Sequence, residues 1–256
     1  MISAFSFSWF IMLGIVMLML LIAYIVLKDK SDNCKRRVVR ICCIATYALI
    51  IVYKIWAYLD PTYPFDFWTQ LPIHQCNLLP IVVLLAMKQN NRWLYAYSYL
   101  GGIIGVFSAI TLGASTFQNA PLLSAGGIGF YGNHFLVVFS VALPVVLKLY
   151  TPDFSDILRA ISVFYIIAAF MHILNRIMNA TICSTSAIKA NYFYTLGADT
   201  DLTRFMQKLI PIEFVWQLCY VPIALFMATI LIIPVRPWKK RNNNCERFNA
   251  NSIRER

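Results

Sequence analysis

Apolar positions along this chain fall into long unbroken blocks, and polar positions fall into the short gaps between them. The blocks run from Phe7 to Leu27, Val38 to Leu59, Pro72 to Met87, Leu94 to Leu112, Phe130 to Tyr150, Ile157 to Met178 and Ile212 to Val235. A helix needs about 20 apolar residues to cross the hydrocarbon core of a bilayer. The pattern therefore predicts an all-α, polytopic membrane bundle of about seven transmembrane helices, the third of them short. Pro72 suits a first helical turn, where its missing N–H costs nothing. Pro80 opposes the carbonyl of Cys76, so a kink and a free carbonyl are expected there. Gly101, Gly102 and Gly105 give the fourth helix a face for close helix contact.

Charge sets the orientation. Basic residues collect at Lys28, Lys30, Lys35, Arg36, Arg37 and Arg40, at Lys88 and Arg92, at Lys148 and Arg159, and in the tail from Arg236. Cytosolic loops carry such an excess. The expected topology has the N-terminus outside and the C-terminus cytosolic. Residues 1–235 form the seven-helix membrane domain, and residues 236–256 form a basic cytosolic tail without fixed structure. The outer connections carry few bases, and Gly113 to Gly129 carries no charge at all; that segment suits a lid or a re-entrant loop. The Asn179-Ala180-Thr181 sequon falls on the outer side. The first block is long and leads into a basic loop, so it reads as a spanning helix rather than a cleaved signal.

Composition agrees with this picture. The chain is 60% hydrophobic and 13% charged, with a mean hydropathy of +0.66. Soluble domains run nearer a quarter charged. The formal charge of +11 would suggest nucleic acid in a soluble protein. Its confinement to short loops and the tail assigns it to topology instead, and no nucleic acid partner is expected. The seven Cys are scattered, without a CxxC pair or zinc-ribbon spacing.

Alternation then places one set of polar residues at a common depth. Lys54, His74, Gln75, Cys76, Asn77, Asn133, His134, His172, Asn175, Arg176, Glu213 and Gln217 all fall near the outer ends of their helices. Polar groups inside a bilayer are costly unless paired, and they often mark a site. Each also has a plain structural role open to it. His134 suits a hydrogen bond to a loop carbonyl. Arg176 suits an ion pair with Glu213. Lys54 suits snorkelling to the surface. Cys76 suits core packing or a disulfide with Cys183. The chemical alternative is a Cys nucleophile activated by a histidine. On a helix His74 and Cys76 lie about 200° apart, so they face each other only if the helix starts after His74. A base from another helix, His134 or His172, reaches Cys76 more easily. Such a pair at headgroup depth suits acyl transfer through a thioester.

Leu71-Pro72-Ile73-His74-Gln75-Cys76-Asn77-Leu78 resembles the LPxHxC segment of the YwaF-like membrane proteins, whose eukaryotic relatives include the transmembrane protein 164 family. Phe130-Tyr131-Gly132-Asn133-His134 resembles the segment opening their fifth helix. Asn191-Tyr192-Phe193-Tyr194 resembles their NY-containing connection. Gly197-Ala198-Asp199-Thr200-Asp201 departs from the pattern, standing where an apolar, Pro-containing run is expected. The resemblance implies a cysteine-dependent acyltransferase that moves acyl chains from phosphatidylcholine to lysophospholipids. Cys76 would accept the acyl chain, with His74 or His134 as base. Asn77, Asn133, His172, Asn175, Arg176, Asn191, Tyr192 and Glu213 would line the substrate site. The implied partners are phospholipid and lysophospholipid substrates in an endoplasmic reticulum or plasma membrane; no cofactor and no metal are expected. Two other classes stay open at this point. One is a zinc-dependent lipid hydrolase built on the three His; the other is a non-enzymatic membrane binder or transporter.

Overall fold

A computed structural model describes residues 4–59, 66–112, 121, 124–186, 188–198 and 200–235. Most of the uncharged connection and the whole of the basic tail, 236–256, lie outside the described residues. The described residues form helices and connections only. In chain order the α-helices are α1 (Phe7–Leu27), α2 (Asp32–Leu59), α3 (Gln75–Gln89), α4 (Arg92–Ala96), α5 (Gly102–Leu112), α6 (Asn133–Val146), α7 (Ser155–Ala180), α8 (Asp201–Leu209) and α9 (Tyr220–Ile232). A π-helical turn, Tyr97–Gly101, joins α4 to α5 into one span, and another, Ala125–Gly132, leads into α6. Six helical stretches are long and apolar enough to cross a membrane, and α3 is a shorter apolar helix. The chain is an integral, multi-pass membrane protein.

Burial ranks the helices. In the stretch from Gly129 to Val146, 72% of the apolar window is buried inside the protein, against 17% for α1 and 22% for α2 and α7. α6 is thus the axis of the bundle. Its neighbours α1, α2, α3 and α5 pack around it. Phe7, Phe10, Met17 and Leu18 of α1 and Leu158, Ile166, Phe170 and Ile173 of α7 stand exposed. Exposed apolar area costs about 25 cal/mol per Å² in water, and lipid removes that cost. The inner seam is close-packed: Val39, Cys43, Ile50, Leu79, Val83, Leu100, Val137 and Leu143 sit in one cluster. Inside it, the hydroxyls of Thr46 and Ser140 pair at 2.9 Å, so α2 and α6 share a satisfied polar contact where lipid offers none.

The helix ends differ from the sequence expectation in ways that local chemistry explains. α2 starts at Asp32 rather than Val38, because the Ser31 hydroxyl accepts the N–H of Cys34 at 3.4 Å and caps the first turn. The bases from Lys35 to Arg40 therefore ride on the helix. α6 stops at Val146, short of Tyr150; Lys148 turns the chain at φ 60°. α7 is longer than its apolar core, reaching from Ser155 to Ala180. The last span opens with a 3-10 turn, Val215–Cys219, after Phe214 at φ 63°, and only then becomes α9. α3 runs through Pro80 as one helix; having no N–H, Pro80 leaves the Cys76 carbonyl without its helical donor. The long connection before the last span hides α8, a helix capped by a reciprocal Thr200–Thr203 box.

A charged knot ties two turns together. Asp156, fully buried, accepts from Arg92 Nε and Nη2 at 2.8 and 2.7 Å, from Arg159 at 2.7 Å, from the Tyr150 hydroxyl at 2.8 Å and from the Asp153 N–H at 2.9 Å. Arg92 opens α4, and Asp156 opens α7, so the knot fixes one span against the other. Ser155 and then Arg92 hold the Asp153 carboxyl below its usual range. Burial, and then Asp156, raises the Tyr150 hydroxyl above its own, so it stays a donor.

Candidate functional site

The start of α3 decides where its polar residues go. His74 is the N-cap residue, with extended φ −63° and ψ 155°. Gln75, Cys76 and Asn77 are the first helical residues. Gln75 points at the π-helical turn, donating to the Gly101 carbonyl at 3.1 Å. A Cβ at Gly105 would stand 3.0 Å from the Gln75 amide nitrogen. Of the glycines expected to allow close helix contact, Gly105 is packed by this side chain and Gly102 by Leu79 of α3 and Val141 of α6. His74 turns the other way, with its ring 4.8 Å from that of Tyr192 and 5.7 Å from that of Tyr194.

Cys76 meets α6. Its thiol lies 3.7 Å from the Asn77 side-chain oxygen, and it interacts electrostatically with the His134 imidazole. His134 is buried in the first turn of α6. Its Nδ1 is 2.6 Å from the Phe130 carbonyl. A carbonyl only accepts, so Nδ1 carries the proton and the neutral ring keeps its lone pair at Nε2. The Phe130 carbonyl thus orients the imidazole that interacts with the thiol.

The π-helical turn that supplies Phe130 is pressed against α2. A Cβ on Gly129 would fall 1.9 Å from the Tyr53 ring. Gly129→Ala therefore forces the ring or the turn to move. Overpacking of this kind costs about 1–3 kcal/mol. The expected outcome is a lower yield of monodisperse protein in detergent and slower alkylation of Cys76 in what folds.

Beside Tyr53, Lys54 does not run to the surface. Its ammonium donates to Gln70 Oε1 at 3.1 Å and lies 5.4 Å from the Tyr53 ring centroid. It interacts electrostatically with Cys76, His74 and His134.

The remaining polar residues divide into a clamp and a rim. Asn175, fully buried in α7, donates to the Tyr192 carbonyl at 2.8 Å and to Thr195 Oγ1 at 3.0 Å, and accepts the Tyr192 N–H at 2.9 Å. Asn191 donates to the Gly197 carbonyl and accepts from Leu196 N–H. The Tyr192 hydroxyl accepts from Leu71 N–H at 3.2 Å and donates to the Trp68 carbonyl. Burial raises this hydroxyl above its usual range, so it remains protonated for that donation. Asn175, Asn191 and Tyr192 thereby hold the segment that leads into His74 and Cys76. The rim is Arg176, paired with Glu213 at 2.5 Å, the two side chains 63% and 41% exposed. This pair stands at the surface. His172 packs its ring on Phe214, with its Nδ1 buried and unpartnered. The Asn133 side-chain nitrogen, one residue before His134, is also buried without a partner.

Cys76 and Cys183 are both free thiols. Cys183 packs with Met178, Ala190 and Tyr192 in a separate apolar cluster, so no disulfide joins them. Among the described residues no three His, Cys, Asp or Glu side chains gather where a metal ion could be held. Among the described residues the three histidines face different partners, His134 facing Cys76, His74 facing Tyr192 and His172 facing Phe214. Lys54 and Gln70 are the members of the site that the sequence did not single out as a pair; only the polar tip of Gln70, ahead of Pro72, marks it.

The TMEM164 family model matches residues 4–235, and the chain belongs to that family. No curated protein and no solved structure matches it.

Proposed function

We propose that this member of the TMEM164 family is a membrane-embedded phospholipid acyltransferase working through a thioester on Cys76. The observation that carries the reading is a buried imidazole, His134, whose Nδ1–H is held on the Phe130 carbonyl and which interacts with the Cys76 thiol. It is supported by the depth of the site, at the ends of membrane-crossing helices, where phospholipid ester carbonyls lie. With the N-terminus outside and the tail cytosolic, that end is the non-cytosolic one.

In this reaction His134 Nε2 takes the Cys76 proton as sulfur attacks an ester carbonyl of phosphatidylcholine. The tetrahedral intermediate collapses, the ester C–O bond breaks, and the imidazolium protonates the leaving lysophospholipid oxygen. The acyl chain is now a thioester on Cys76. A hydroxyl of a second lysophospholipid gives its proton to His134 and attacks the thioester. The C–S bond breaks and the proton returns to sulfur. One ester is exchanged for another, so no external energy source or cofactor enters. Asn77, beside the thiol, and Asn133, whose side-chain N–H₂ is unpartnered, are the amides nearest in sequence to the two reacting residues. His74 and the Tyr192 clamp shape the entry to α3. In this reading Asn175 acts through the Tyr192 clamp, and the exposed Arg176–Glu213 pair stands at the rim.

The test is acyl transfer in isolated membranes, from labelled phosphatidylcholine to added lysophospholipids. The wild type is expected to transfer label and to carry a hydroxylamine-labile acyl group on the Cys76 peptide. Cys76→Ala, at matched folded level, is expected to lose both. Full transfer by Cys76→Ala would overturn the thioester mechanism.

A further inference from the structure

We propose that Lys54 is the cation of this site: its ammonium stabilises the Cys76 thiolate and then the oxyanion of each tetrahedral intermediate formed on Cys76. The inference rests on the reading of Cys76 as acyl acceptor and adds a residue that neither the motif nor its spacing indicates.

The geometry comes from α2, which touches both halves of the dyad. Lys54 bonds Gln70 at 3.1 Å, and Gln70 lies on the segment that delivers Cys76. Tyr53, its neighbour, is packed on Gly129, one residue before the carbonyl that orients His134. The ammonium is thereby held from two sides, near the thiol and the imidazole. It has three donors, and Gln70 accounts for one. A lysine at this depth would ordinarily extend to water, because a charge in hydrocarbon is costly. Lys54 is half-buried and turned onto Gln70, and among the described residues no carboxylate pairs with it. A cation with no anionic partner beside a nucleophile favours the state in which that nucleophile is negative. The same holds when the charge passes to the carbonyl oxygen, since preorganised donors act most strongly where water is excluded.

A second role would produce the same hydrogen bond: Lys54 as a structural pin for residues 66–74. Two variants separate them. Lys54→Gln keeps an N–H donor for Gln70 and removes the charge. Lys54→Arg keeps the charge and alters the stem. The readout is the rate of iodoacetamide alkylation of the Cys76 peptide across pH, by mass spectrometry on the full-length protein in nanodiscs. Cys76 is faced by Lys54 from α2, His134 from α6 and Tyr97 from the π-helical turn, while His74 of its own segment is turned onto Tyr192. Both variants leave the last three in place. The rate at high pH, where every thiol is ionised, corrects for reagent access.

Relative to that plateau, Lys54→Gln is expected to lower the rate at pH 7 about tenfold, one pKa unit of thiolate population. Lys54→Arg is expected to stay within about threefold of wild type. Superimposable profiles for all three proteins would overturn the proposal. So would a Gln variant indistinguishable from wild type beside a defective Arg variant, the pattern of a pin. If wild type shows a Lys54-dependent profile yet transfers no acyl chain, the acyltransferase reading falls and the cation at Cys76 stands.

Discussion

His134→Ala is expected to slow acyl transfer by about 10²–10⁴-fold, the usual worth of a positioned general base. Cys76→Ala is expected to bring it to background. The double variant is expected to be no slower than Cys76→Ala alone. Residues that act as one unit give losses that do not add: without the thiol, His134 has no proton to take, and without His134, the thiol reacts only through its small ionised fraction. His134 holds its proton at Nδ1, against the Phe130 carbonyl at 2.6 Å, which leaves Nε2 as the basic nitrogen. His134→Gln is informative for that reason. A glutamine side chain can fill space and donate a hydrogen bond, yet it cannot accept a proton at neutral pH, so it should be as slow as alanine. The measurement is transfer of labelled acyl chain per folded molecule. Multiplicative losses in the double variant, or a fully active Gln variant, would remove His134 from the role of base.

Much of this arrangement was readable in the chain, and the limits have local causes. The long apolar blocks gave α1 to the residue, because nothing but hydrophobicity shapes a lipid-facing helix. The short LPIHQC segment stood out because imidazole, thiol and amides are expensive at that depth. The chain alone leaves the base open among His74, His134 and His172, since the choice turns on one helix boundary and on how the helices face. α3 begins at Gln75, which frees His74 to turn onto Tyr192. Depth alone grouped Arg176 and Glu213 with the site, yet depth carries no azimuth; the two meet each other at the surface. Lys54 read as a snorkelling lysine because its partner Gln70 lies in a connection with no periodicity to place it. α8 was missed for a related reason. Its nine residues are polar on average, and a single turn of capping residues, Thr200 and Thr203, makes it a helix.

The largest loss of stability is expected far from the thiol, from Asp156→Ala. Five hydrogen bonds end on this carboxylate, and its side chain is fully buried. Removing one partner of a buried ion pair typically costs about 3–5 kcal/mol, because the group left behind keeps its desolvation without its compensation. Here Arg92 and Arg159 are 42% and 29% exposed, so water recovers part of their charge. Arg92 also retains Asp153 at 2.7 Å and the Thr151 carbonyl at 3.3 Å. The cost should therefore lie near the lower end, about 3 kcal/mol. The Tyr150 hydroxyl and the Asp153 N–H have no such relief. Asp156→Asn keeps the shape but turns an N–H₂ toward one of the guanidinium groups, so it should rescue little. Asp153→Asn is the contrasting variant: its carboxylate is 46% exposed, and exposed pairs contribute about 1 kcal/mol or less. The check is the denaturation midpoint in mixed micelles, read for the three variants together. A midpoint for Asp156→Ala equal to that of Asp153→Asn would mean that the two turns are held by their apolar packing, with Tyr95 stacked on Tyr150 at 5.1 Å, rather than by the buried charge.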